Sequence, residues 1–247
     1  MIYRRLLIFA ALGAACFLTA CTGKKESSSS LLKRAVAAGS EAQWEKALKL
    51  SEEALALNPK NPDILLFSVL ALEQNGKAAE ALNRVRTLAS DTESFRIQYT
   101  LGRLLFRKGD YEKCLVPLLH ANKARPGDVN TLVLLARAKT RLATGDALVY
   151  QKKLLAFPEF RNSVDVFNEI GVLLALTGKP KESVTVFRAK CPEHPVSVLN
   201  AAIVCDWHLG DREQAAEWYG RYLRLTANRP ELHRERYLVT QRLSEIR

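Results

Sequence analysis

This sequence carries no catalytic signature. It lacks H-E-x-x-H, G-x-S-x-G and the phosphate-cradling G-x-x-x-x-G-K, which removes the commonest routes to metal-assisted hydrolysis, serine chemistry and nucleotide binding. Its four histidines, His120, His194, His208 and His233, are dispersed along the chain. Acidic residues such as Glu45, Glu52 and Glu53 fall on solvent faces of helical patterns, where a charge is simply hydrated. The N-terminal apolar run, Leu6 to Ala20, is fifteen residues long. A helix that crosses a bilayer needs about 20, so this run does not read as a membrane span.

What is present is a period. Gly76, Gly109, Gly145, Gly178 and Gly210 are separated by 33, 36, 33 and 32 residues, and each closes one helix-like apolar stretch and opens another. Units of this length cannot bury their apolar faces alone and must stack, so the period predicts an all-α solenoid. The clearest unit runs from Phe95 to Asp128, with Leu101-Gly102, then Gly109-Asp110-Tyr111, then Cys114, Ala121 and Pro126. It resembles a tetratricopeptide repeat, a helix–turn–helix unit of about 34 residues. The resemblance implies a right-handed superhelical solenoid of about six such repeats.

The register extends along nearly the whole chain. Repeats fall at about 28–61, 62–94, 95–128, 129–163, 164–195 and 196–229, followed by a polar capping helix over 230–247. Five residues after the turn glycine the family wants a small side chain, because the two helices of a unit cross closely there. The chain supplies Ala47, Ala81, Cys114, Ser183 and Ala215. Pro59, Pro126 and Pro195 are expected to stop second helices, since proline has no amide donor. Ile64, Leu65, Leu101, Leu104, Leu105, Leu132 and Leu135 recur at helical spacing and are assigned to the core. The fourth repeat is irregular: it runs long, and Tyr150 stands five residues after Gly145 where a small residue is wanted.

The N-terminus has the form of an export signal. Arg4 and Arg5 precede the apolar run, which ends in Leu18-Thr19-Ala20-Cys21. That sequence is similar to the lipobox of bacterial lipoproteins. The resemblance implies cleavage after residue 20, a thioether-linked lipid on Cys21 and acylation of its amine. An ordinary signal peptide that contains a cysteine by chance, or an uncleaved anchor, is the competing reading. Residues 21–30, with Lys24, Lys25, Glu26 and a serine run, are expected to form a flexible polar tether, and 31–229 the solenoid. Thr22 follows the cysteine in place of the aspartate that retains lipoproteins at the inner membrane of enterobacteria. The expected location is therefore the outer membrane, facing the periplasm.

Charge and cysteines narrow the partners. The formal charge is +11, or +9 once Arg4 and Arg5 are removed, which favours acidic protein segments or anionic headgroups. Nucleic acid is excluded by export. Cys191-Pro-Glu-His194 and Cys205-Asp-Trp-His208 repeat a C-x2-H pattern that could hold zinc. In the repeat frame, however, the two pairs are separated by about eight helical residues, roughly 12 Å, too far for one ion or for a disulfide. No metal, cofactor or small-molecule substrate is expected, and Cys114, Cys191 and Cys205 are read as buried small residues.

In the resembled family, positions 2, 5, 9, 12 and 13 of each first helix point into a concave groove. Carried onto the third unit these are Arg96, Tyr99, Arg103, Phe106 and Arg107, and onto the fourth Asn130, Val133, Arg137, Thr140 and Arg141. The sixth unit adds Asn200, Trp207 and His208 on the same line. Arginines bind carboxylates through two parallel hydrogen bonds, and neighbouring aromatics add apolar and cation–π contact. The chain therefore reads as a non-catalytic binding scaffold for a protein or peptide with acidic segments. The expected role is pilotin-like support of an outer-membrane complex such as a pilus secretin. An adaptor recruiting a periplasmic hydrolase or protease is the alternative, and a repeat-bearing enzyme ranks last.

Overall fold

The computed structural model describes residues 26–90 and 92–247; the segment before Glu26, with Cys21, lies outside the described residues. All regular structure among the described residues is helical, and it divides into two compact units, one ending at Lys77 and one spanning Ala78–Arg247. The boundary falls inside the repeat read as 62–94, between its two helices.

The first unit holds α1 (Ser28–Ser40), α2 (Trp44–Leu57) and α3 (Pro62–Gln74). The serines expected in the tether instead open α1. Ser27 is its N-cap, with Oγ accepting the Ser30 amide at 3.2 Å, and Ser30 Oγ donates to Glu26 at 2.9 Å. Serine is among the best helix-capping residues, and burial of Leu31 and Ala35 secures the turn that follows. Leu31, Ala35, Ala38, Ala47, Leu50, Ala54 and Ile64 form the core. Asn75 closes the unit, its Nδ2 donating to the carbonyls of Trp44 and Ala71 at 2.9 and 2.8 Å.

The second unit begins with α4 (Ala78–Ala89), then pairs α5 (Phe95–Lys108) with α6 (Tyr111–Ala124) and α7 (Val129–Arg141) with α8 (Ala147–Leu154). Next come α9 (Val164–Leu176) with α10 (Pro180–Lys190), and α11 (Pro195–Ile203) with α12 (Arg212–Leu225). A terminal helix, α13 (His233–Ile246), packs on α12 through Val239, Leu243 and Ile246. The expected core leucines and Ile64 are all buried. So are the small residues expected five positions after each turn: Ala47, Ala81, Cys114, Ser183 and Ala215 are each 0% exposed. Gly109, at φ 88°, shows why a glycine marks the turn: it closes α5 in the left-handed conformation that other residues avoid.

Three local details differ from the sequence reading. In the fourth hairpin the left-handed residue is Ala143 (φ 49°), not Gly145. The small residue there is then Ala147, fully buried at the first position of α8, with Tyr150 one turn further on. Pro195 does not stop α10; it is the first residue of α11, where its missing amide hydrogen has no partner to lose. Finally, α11 continues through a π-helical turn, Val204–Leu209, whose wider winding inserts an extra residue and rephases the helix before Gly210.

Candidate functional site

The fourth hairpin is the shortest, and the cleft of the second unit opens beside it. The eight residues of α8 are followed by an irregular connection over residues 155–163. Along this connection a cleft of about 420 Å³ lies among α5, α7 and α9. Its apolar lining comes from Phe106 on α5, Val133 on α7, Leu154 on α8 and Phe160 in the connection. Phe106 is held edge-on against Tyr111, with ring centroids 5.2 Å apart.

The wall formed by α7 is braced by polar contacts to the turn and to α8. Lys139, almost fully buried, donates through Nζ to both carboxylate oxygens of Asp146 at 2.9 and 2.7 Å. Its ammonium also lies 4.9 Å from the Tyr150 ring. Gln151 of α8 donates from Nε2 to Thr140 Oγ1 at 3.0 Å. Buried polar groups satisfied in this way fix one arrangement of the hairpin.

While Lys139 turns inward, Arg137 and Arg141, one helical turn apart on α7, line the cleft beside Thr140 and Gln151. Across from them α9 presents Asp165 and Glu169, also one turn apart. A like-charged pair at this spacing costs an isolated helix about 0.2–0.5 kcal/mol. Burial pushes the half-buried Glu169 carboxyl above its ordinary pKa, while Arg141 and, more weakly, Arg137 pull it back. Asn168 stands beside Glu169, its Oδ1 accepting from Ser197 Oγ at 2.9 Å and from Asn200 Nδ2 at 3.0 Å.

Of the residues expected in a common groove, the cleft gathers Phe106, Val133, Arg137, Thr140 and Arg141. Asn200 joins them through Asn168. Arg96, Tyr99, Arg103 and Arg107 lie along α5 outside the cleft lining. Tyr99 stacks on Phe95 with centroids 5.8 Å apart, and the Arg125 guanidinium covers Phe95 at 4.1 Å. Trp207 does not line the cleft: it is 68% exposed in the π-helical turn, with the Arg242 guanidinium 4.7 Å from its ring. The acidic wall was missed by the sequence reading. Extending the same positional rule to the fifth repeat would have found Asp165 and Asn168 at positions 2 and 5, but not Glu169. Phe160, in the irregular connection, has no periodic signal at all.

The cysteines are structural in position. Cys114, Cys191 and Cys205 are buried free thiols, and burial pushes Cys114 and Cys205 up to about 11. Cys191 donates to the Val164 carbonyl at 3.6 Å. Among the described residues no cluster of His, Cys, Asp and Glu is placed to hold a metal ion.

Comparison with known proteins identifies the architecture. Residues 35–94 match the family model for the tetratricopeptide repeat. No curated protein sequence matches the chain. Among solved structures, YrrB, described as a TPR protein with an unusual peptide-binding site, superposes with TM-score 0.61 at 19% identity, over 72% of this chain and 93% of its own. Pseudomonas aeruginosa pilF gives 0.55 at 20% identity, over 87% of this chain and 99% of its own. A tetratricopeptide repeat protein from Parabacteroides merdae gives 0.59 at 18% identity, over 89% and 93%. What these proteins share with the chain is the fold. The hairpins described above have the tetratricopeptide-repeat fold.

Proposed function

We propose that this tetratricopeptide-repeat chain is a non-catalytic scaffold, lipid-anchored through Cys21 at the outer membrane and facing the periplasm. There it holds a segment of a partner protein during assembly of an outer-membrane complex. The observation that carries the binding role is the cleft itself: an apolar lining with charged side chains converging on it from two helices. Such a site matches the general form of a recognition site, in which apolar contact supplies affinity and a few polar groups fix orientation. Arg137 and Arg141 suit a partner carboxylate, to which each guanidinium can offer two hydrogen bonds. The anchoring role rests on the Leu18-Thr19-Ala20-Cys21 sequence and the apolar run before it. The likeness to Pseudomonas aeruginosa pilF is one of fold, and it fits a binding scaffold.

The test pairs deletion with capture. Deleting the chain should abolish a multimeric outer-membrane complex, and the intact protein should restore it while Cys21→Ala should not. Cross-linked capture from envelopes should recover a subunit of that same complex. Recovery of a peptidoglycan hydrolase or a protease, with the complex intact in the deletion strain, would assign the adaptor role instead.

A further inference from the structure

We propose that the polypeptide segment recognised by the cleft is bipolar: it places a carboxylate against Arg137 and Arg141, a lysine or arginine against Asp165 and Glu169, and an apolar side chain between the two. This inference rests on the reading of the cleft as a protein-binding site and specifies what that site selects.

The argument starts from charge. Two arginines on α7 face two carboxylates on α9, so these walls sum to zero although the chain as a whole carries +11. Among the described residues no ion pair joins these four side chains to one another, although Glu169 lies within electrostatic reach of both arginines. The cleft holds the two signs apart, with Val133 and Phe160 among the residues lining the space between them.

An occupant would displace water from all of these groups at once. Glu169 is already half-buried, and covering it further without a cation would leave an uncompensated carboxylate in a drier site. A wholly acidic segment would satisfy Arg137 and Arg141 but bring like charge onto Asp165 and Glu169. A wholly basic segment would make the opposite error. Only a segment with both signs meets every wall, and the repulsion against the wrong sign supplies specificity as well as affinity. Phe106 and Phe160 offer its apolar residue flat, rigid contact, and the guanidiniums can also lie over an aromatic ring.

The experiment uses the full chain in detergent and four short fluorescein-labelled peptides. They are identical except at the positions flanking a central phenylalanine, which read Glu/Lys, Lys/Glu, Glu/Glu or Lys/Lys. One mixed peptide should bind about tenfold more tightly by fluorescence anisotropy than either uniform peptide, the scale of one charge-assisted contact. Glu169→Lys should make the Glu/Glu peptide the tightest of the four. Asp165→Lys, at an exposed position on the same face, should shift the preference in the same direction and guards against a folding defect in the first variant. Tightest binding of the Glu/Glu peptide to the unaltered chain would overturn the bipolar assignment while leaving the cleft as the binding site. If no peptide binds, and Arg137→Glu with Arg141→Glu leaves partner capture intact, the site reading itself falls and the inference falls with it.

Discussion

A β-carbon on Gly171 would stand 2.4 Å from Cε1 of Phe187, the ring that fills the crossing of α9 and α10. Phe187 is completely buried. Gly102 and Leu118 repeat the arrangement in the third repeat, at 2.6 Å. Gly171→Ala should therefore destabilise the protein by about 1–3 kcal/mol through overpacking, against a helix-propensity gain of about 1 kcal/mol. Urea denaturation measures the difference. A variant as stable as its parent would mean that the two helices separate at no cost, contrary to the packing described.

The fourth turn allows a test that reverses the sequence expectation. Ala143 holds the left-handed conformation, while Gly145 does not and has nothing within 4 Å of a built β-carbon. A left-handed L-residue costs roughly 1–2 kcal/mol, part of which glycine returns through the entropy of the unfolded chain. Ala143→Gly should raise stability by about 0.5–1 kcal/mol, and Gly145→Ala should leave it level or slightly higher. Thermal melts that show Gly145→Ala to be the damaging change would place the turn where the glycine period put it.

These two sites show how far the sequence could be read. The hairpins, the buried crossing residues and the order of helices followed from glycine spacing and apolar periodicity, because stacking forces each repeat to bury the same positions. Ala143 and Ala42, at φ 58°, were hidden because alanine does not announce a positive φ. The serine run before Leu31 was ambiguous for a related reason, since serine suits both a tether and a helix cap. The lining of the candidate cleft was half legible. Position rules found Phe106, Arg137 and Arg141 but applied the same face to Trp207, where the π-helical turn had already changed the phase. The opposing wall depends on which helix faces which across a gap, and that is a tertiary fact.

The terminal helix is fastened by a buried charge, and this gives a pH-dependent prediction. Asp206, with a side chain 2% exposed, accepts from Arg242 Nε and Nη2 at 2.7 and 2.8 Å and from the Tyr219 hydroxyl at 3.1 Å. The Arg242 bonds hold the Asp206 carboxyl below its usual range, with burial acting against them and the Tyr219 bond helping. A depressed carboxyl pKa adds stability that is present above the unfolded value of about 3.9 and is lost as pH falls through the folded one. Attachment of α13 should therefore weaken in acid, below about pH 4. Asp206→Ala should cost about 1–3 kcal/mol at neutral pH, since it removes the carboxylate that accepts from the buried Tyr219 hydroxyl and from Arg242, and should flatten this part of the acid response. Hydrogen exchange across residues 233–246 reads both effects. Protection unchanged by the substitution would show that Val239, Leu243 and Ile246 hold the helix without the charge.

Partner binding should depend on where positive charge sits and not merely on its amount. Arg137 and Arg141 line the cleft, whereas Lys152 and Lys153 are exposed on α8, outside its lining. Reversing either pair to glutamate changes the net charge equally, so any long-range attraction between a basic chain and an acidic partner would suffer equally. A local contact would not. Arg137→Glu with Arg141→Glu should weaken capture of the partner by about tenfold or more, the scale of lost charge-assisted hydrogen bonds, while Lys152→Glu with Lys153→Glu should change it by about twofold or less. Raising salt from low to moderate concentration should weaken the unaltered protein as the Debye length shortens toward about 8 Å. It should affect the arginine variant much less, because the contacts being screened are already gone. Equal loss from the two reversals would leave only diffuse electrostatics, and the cleft would no longer account for recognition.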